Sequence, residues 1–215
     1  MPLRELYQAL FELYGPQGWW PVDLNYHNLK GTDPREEIII GAILTQNTSW
    51  KNVERALDNI KSYGELSFRF IRESPIELLK ELIKPTGFYN QKAKRLKEFC
   101  MLFKSANELE NISREELLKA PGVGEETADS ILLYAFNRLS FVIDKYTFRF
   151  IYRYMGITGN YSELKKTFER QLPKDLQVYK EFHALIDHHA KYFCKSAPRC
   201  EACMLKNCLR VGLSF

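Results

Sequence analysis

The chain has no apolar run long enough to span a bilayer, which rules out a helical membrane anchor among its 215 residues. Its opening stretch, Met1 to Phe11, weaves Arg4 and Glu5 into a helical pattern and has neither the apolar core nor the small-residue cleavage site of an export signal. Alternating strand-like stretches are also missing. Phe141-Val142-Ile143 is the only candidate, and it is too short to build a sheet. There is no internal repeat and no low-complexity linker. Cysteine is scarce before residue 194, where only Cys100 occurs, so a disulfide framework is not expected. These absences point to a soluble, cytoplasmic, non-membrane protein, nucleoid-associated if prokaryotic.

What is present is helical. Apolar residues recur at helical spacing in Leu3, Leu6, Tyr7, Leu10, Phe11 and Tyr14, in Val53, Ala56, Leu57 and Ile60, and in Phe148, Ile151, Tyr152 and Met155. Tyr179, Phe182 and Ile186 continue the pattern. Glu37 to Leu44 is apolar on nearly every side, as suits a helix at the centre of a bundle. Breaks at Gly15-Pro16, Gly31 to Pro34, Ser74-Pro75, Pro85 to Gly87, Pro121-Gly122 and Gly156 to Gly159 separate short helices. Ser113 and Glu116 make a capping-box signal. A hydrophobic content of 45% is enough for a substantial core.

The net charge of +4 permits a polyanionic partner without demanding one. Lys84, Lys92, Lys94, Arg95 and Lys97 crowd into fourteen residues, but a solvated helix face explains them equally well.

The most informative stretch is Leu117-Leu118-Lys119-Ala120-Pro121-Gly122-Val123-Gly124-Glu125-Glu126-Thr127-Ala128. A helix ends, a tight turn follows, and a second helix begins with its apolar face at Ala128, Ile131, Leu132, Ala135 and Phe136. Two glycines allow a sharp turn, with left-handed backbone expected there, and Val123 can plug the space between the helices. The N–H groups at Gly122, Gly124 and the helix start suit a phosphate oxygen. Downstream, Phe141 to Ile143 leads to Asp144, whose bland role is an N-cap ahead of Tyr146 to Arg149. Near the C-terminus stand Cys194, Cys200, Cys203 and Cys208, four thiols in fifteen residues. Their grouping suggests a metal site, and spacing alone leaves zinc and iron–sulfur both open. Cys100 shares an apolar helix face with Ala93, Leu96 and Phe103, as a core residue would.

The hairpin, the aspartate beyond it and the cysteine loop together resemble the helix-hairpin-helix, or endonuclease III, superfamily of DNA glycosylases. Ile43-Leu44-Thr45-Gln46-Asn47-Thr48, Gly87 to Leu96, Val142 to Tyr146 and Trp19-Trp20-Pro21 are closer still to its 3-methyladenine glycosylase branch. That branch lacks a cysteine loop, and the loop here is one residue shorter in each outer gap than in endonuclease III relatives. The resemblance covers residues 19 to 210.

The resemblance implies an all-α fold of two helical subdomains flanking a DNA-binding cleft. Residues 32–139 would form a helical barrel ending in the hairpin (113–137). Residues 1–31 with 140–215 would form the second subdomain, holding a 4Fe–4S cluster on the loop at 194–208. It implies Asp144 as the catalytic acid, with Lys145 beside it as a secondary candidate. Gly122, Val123, Gly124, Thr127, Gln46 and Lys92 would contact DNA, Gln46 as the wedge filling the space of the flipped nucleotide. Trp19, Trp20 and Pro21 would line the base pocket. A superfamily member that also cuts the strand carries a lysine where this chain has Glu126, and a carboxylate cannot form a Schiff base. The expectation is a monomeric, monofunctional glycosylase acting on damaged, alkylated bases in double-stranded DNA. The alternatives are a bifunctional enzyme for oxidised pyrimidines and a catalytically silent DNA-binding module.

Overall fold

The computed structural model describes residues 2–213 and is helical, with no strand among them. In chain order the helices are α1 (Leu3–Tyr14), α2 (Leu24–Lys30), α3 (Pro34–Leu44), α4 (Trp50–Tyr63), α5 (Phe68–Glu73) and α6 (Ile76–Ile83). There follow α7 (Tyr89–Leu102), α8 (Arg114–Leu117), α9 (Glu125–Ser130), α10 (Lys145–Met155), α11 (Tyr161–Gln171) and α12 (Leu176–Tyr192). None of the described helices is long and apolar enough to cross a membrane. The chain divides into two units, Trp20–Phe136 and the paired ends Met1–Trp19 with Asn137–Phe215.

The central unit is built around α3. Pro34 opens that helix, and the Asp33 carboxylate caps it by accepting from the Arg35 N–H at 2.9 Å. Every residue from Glu36 to Leu44 is buried, as its all-round apolarity foretells. The two acids in its first turn are buried with partners. Glu36 accepts from the backbone N–H groups of Phe68 (2.7 Å) and Ala106 (3.2 Å), and burial raises its carboxyl above the usual range. Glu37 accepts from Lys61 Nζ at 2.7 Å and meets His27 Nε2 at 2.6 Å. His27 is only 2% exposed, so residues 20–31 belong with this unit and not with the chain ends. The sequence boundary at residue 32 missed this because a lone histidine on a seven-residue helix carries no periodic signal.

The unit of paired ends packs α1 and α10 against α12. Leu3, Leu6 and Leu10 are fully buried. Phe141 to Ile143 is buried, and the Phe141 ring stacks on Phe168 with centroids 4.5 Å apart. The Glu181 carboxylate closes the turn after α1 by accepting from the N–H groups of Gln17 (2.6 Å) and Gly18 (3.1 Å).

Candidate active site

The hairpin forms where the sequence places it. Ser113 and Glu116 complete their capping box at the start of α8. The Arg114 guanidinium grips the fully buried Asp129 carboxylate through two 2.9 Å bonds, tying α8 to α9. Gly122 has φ +77°, and a Cβ there would lie 3.0 Å from Arg95 Cβ, so only glycine fits. Gly124 departs from expectation. Its φ is −97° and a Cβ would meet nothing within 4 Å, because it serves as the extended N-cap of α9. Among the described residues, no backbone carbonyl accepts from the Gly122 or Gly124 N–H group. Val123 is buried as the plug between the helices, and Thr127 is also buried, so neither offers its side chain to a DNA strand. Beyond α9 the helix widens into a π turn at Ile131–Ala135.

The Gln46 amide donates to the Gly122 carbonyl at 2.6 Å and to Thr127 Oγ1 at 3.4 Å. The proposed wedge is therefore latched to the hairpin in this conformation. Lys92 corrects the sequence expectation. It is 6% exposed, and its Nζ donates to the carbonyls of Leu44 (2.9 Å) and Thr86 (2.8 Å). Burial draws its pKa down from 10.5 to about 8. A side chain so engaged finishes the C-terminus of α3 and does not reach a phosphate. Nearby Lys97 is similarly bound to the carbonyls of Arg72 and Ser74.

Trp20 heads an aromatic group that the sequence did not reveal in full. Its ring meets Trp50 edge-on with centroids 5.1 Å apart and lies 5.3 Å from Tyr134. The indole presses on Gly41, where a Cβ would come within 3.1 Å. Trp19 is half-buried and falls in the other unit, while Pro21 is exposed. Trp50 was hidden as the first residue of an otherwise amphipathic helix, and Tyr134 as one member of an apolar run.

Asp144 is 8% exposed at the N-terminus of α10. Its Oδ1 accepts from both the backbone N–H and the hydroxyl of Thr147, each at 2.7 Å. Its Oδ2 lies 4.0 Å from His183 Nε2 on α12, a residue that sequence reasoning passed over. Lys145 is exposed, with Nζ 5.2 Å from the Tyr146 ring centre. Arg149 and Lys191 also approach that ring, at 5.1 Å and 5.6 Å.

The cysteine loop folds back along α10 and α12. Cys203 Sγ lies 3.7 Å from His189 Nε2, Cys208 Sγ faces the Arg153 carbonyl at 3.6 Å, and Arg153 reaches Cys194 Sγ at 3.6 Å. Burial, with Cys194 and Cys200 adding to it, pushes the Cys203 thiol up. Burial and the other three cysteines do the same for Cys208. Among the described residues, no three His, Cys, Asp or Glu side chains converge as ligands of a metal ion. Cys100 is fully buried in the core, as expected, and burial raises its thiol.

Comparison with known proteins places this geometry. Residues 40–174 match the model of the HhH-GPD superfamily base excision DNA repair protein. A Methanocaldococcus jannaschii protein bearing the name DNA repair glycosylase is 46% identical over 95% of this chain and 94% of its own. Endonuclease III of Thermotoga maritima is 32% identical, covering 84% of each chain. Among solved structures, H. pylori 3-methyladenine DNA glycosylase bound to 1,N6-ethenoadenine is similar with a TM-score of 0.72 and 29% identity, over 89% of this chain and 98% of that one. An endonuclease III–DNA complex shares the fold with a TM-score of 0.78 at 21% identity, over 96% and 93%. The chain belongs to the HhH-GPD superfamily of base-excision DNA repair glycosylases.

Proposed function

We propose that this glycosylase is monofunctional and hydrolyses the N-glycosidic bond of alkylated purines flipped out of duplex DNA. The observation that carries the substrate class is the aromatic group of Trp20, Trp50 and Tyr134. A purine alkylated at a ring nitrogen bears formal positive charge, and stacking on tryptophan stabilises such a cation by about 0.5–2 kcal/mol. A neutral base gains less, so the rings discriminate by charge. The 29% identity to a glycosylase named for 3-methyladenine supports alkylated purines as the class.

The chemistry then asks little of the protein. As the C1′–N bond opens, its electron pair leaves on a base that departs neutral, and positive charge gathers on the sugar. The Asp144 carboxylate, oriented by its two bonds from Thr147, offsets that charge. Water completes the hydrolysis. The residue at the position of the family's lyase amine is Glu126, exposed and without a nucleophilic nitrogen. Gly122 and Gly124 would hold a phosphate through their N–H groups, whatever the sequence.

We further propose that Cys194, Cys200, Cys203 and Cys208 hold a 4Fe–4S cluster. The fit rests on the donor set: four half-buried thiols close enough to influence one another's ionisation, the ligand type that such a cluster takes. Bound there, the cluster would cross-link the loop to itself; these residues would hold it while Arg149 and Arg153 anchor the backbone around Cys194.

The test is base release from a panel of single-lesion duplexes by the wild type, Asp144→Asn and Trp20→Ala. Alkylated purines should leave faster than uracil, thymine glycol or mismatched adenine. Asp144→Asn should lower release by at least about a hundredfold, the scale of losing one key electrostatic group, with binding retained. Fastest release of oxidised pyrimidines, or a covalent adduct trapped by borohydride, would refute the substrate class or the monofunctional assignment respectively.

A further inference from the structure

Asp144 has a second neighbourhood besides its own helix. Oδ1 is committed to Thr147, which turns Oδ2 towards α12. There His183, Asp187 and Lys191 follow at intervals of four residues, the spacing that aligns side chains along one helix face. Lys191 Nζ binds the Asp187 carboxylate at 2.6 Å. Burial raises the Asp187 carboxyl, the nearby Asp144 charge adds to that, and Lys191 and His183 oppose it. The four residues therefore share one electrostatic environment.

The His183 imidazole, its side chain 12% exposed, is the member placed to act on Oδ2. A nitrogen–oxygen separation of 4.0 Å is too long for a direct hydrogen bond. It is the separation at which one oxygen, about 2.8 Å from each group, bridges them. Asp187 is occupied by Lys191, and Lys145 lies over the Tyr146 ring. We propose that His183 is a second catalytic residue, holding the attacking water jointly with Asp144 and accepting its proton. This rests on Asp144 being the carboxylate that serves the sugar.

The step balances without a co-reactant. The C1′–N electron pair departs with the base. A lone pair of the held water forms the C1′–O bond. The water's proton passes to His183 Nε2, and Asp144 remains a carboxylate throughout.

The test uses the full chain in single-turnover assays on the lesion duplex it releases fastest, with His183→Gln, His183→Ala, Asp187→Asn and Asp144→Asn. A glutamine can hold a water but takes no proton from it. His183→Gln should slow release about a hundredfold or more, the lower end of what one acid–base group contributes, with DNA affinity held within about twofold. The decisive readout is the partition of the sugar between water and added methanol. His183→Ala should raise the methyl glycoside share about threefold or more, because the water is no longer held in place. A packing role would not move that ratio, and Asp187→Asn should leave it near the wild-type value. An unchanged ratio in His183→Ala, or a wild-type rate in His183→Gln, overturns the proposal. If Asp144→Asn is inactive in that event, the assignment of Asp144 survives. If Asp144→Asn is also fully active, that assignment falls too. Should His183→Ala fail to fold, the rate of His183→Gln decides alone.

Discussion

Replacing Lys92 with methionine separates a structural lysine from a DNA-binding one. Its ammonium makes two hydrogen bonds to carbonyls in the central unit, and bonds to a charged group contribute about 1.5–3 kcal/mol each. Against this stands the cost of keeping the charge buried. The fall in pKa from 10.5 to about 8 corresponds to about 3 kcal/mol. The two nearly cancel, so Lys92→Met should destabilise by only about 0–3 kcal/mol at pH 7. The pH dependence is sharper. A folded-state pKa below the unfolded value means that the unfolded chain binds the proton more tightly, so stability rises with pH between the two values. The wild type should therefore gain up to about 3 kcal/mol relative to Lys92→Met between pH 8 and 10.5. Taking the difference removes the tyrosines, such as Tyr14, whose pKa is raised to about 12 and whose contribution falls as pH rises above 10. Urea unfolding of both proteins across this range measures it. DNA binding at several salt concentrations gives the second arm: the slope of log K against log salt should be unchanged, whereas loss of one phosphate contact would reduce it by about 0.9. Parallel stability curves, or a shallower salt slope, would refute the placement of Lys92.

Gly124→Asp should fold normally, since φ there is −97° and the space is open, and aspartate is a favoured N-cap. It should nevertheless weaken binding to all DNA sequences alike by setting a carboxylate against the phosphate, and unchanged affinity in a folded variant counts against that contact. Protein purified without oxygen should carry about four irons, with absorbance near 400 nm, and should lose both with Cys203→Ser; stoichiometric zinc would overturn the cluster.

Much of the fold was legible because its signals are local and redundant. The buried α3 announces itself by apolarity on every side, the hairpin by Pro121, Gly122, Val123 and Gly124 between amphipathic segments, and the start of α8 by Ser113 and Glu116. Asp144 was legible as an N-cap from its own neighbourhood, and the structure shows Oδ1 in that role while Oδ2 faces α12, the oxygen that the proposed catalytic role would use. Lys92 was misjudged for a physical reason. Charge density along the chain does not tell which lysine turns inward to the carbonyls that α3 leaves at its C-terminus. Gly124 was misjudged because both glycines of a turn look alike in sequence, although only Gly122 takes the left-handed backbone.

The residues missed altogether share a different property: each matters through a partner distant in sequence. Trp20 was visible, but Trp50 and Tyr134 become its companions only after α3 sets Gly41 beneath the indole, leaving too little room for another side chain. His183 sits in a helix that reads as core, with Phe182, Leu185 and Ile186 beside it, and its approach to Asp144 spans thirty-nine positions. Nothing periodic encodes such a pairing. The sequence signal that could have found it is the repeat of polar residues at His183, Asp187 and Lys191 along an otherwise buried helix. A charged stripe on a core helix needs partners, and the carboxylate that caps α10 is one that it meets. The pairings within each unit thus depend on contacts that the local code does not carry, while the helices that make them are written in plain periodicity.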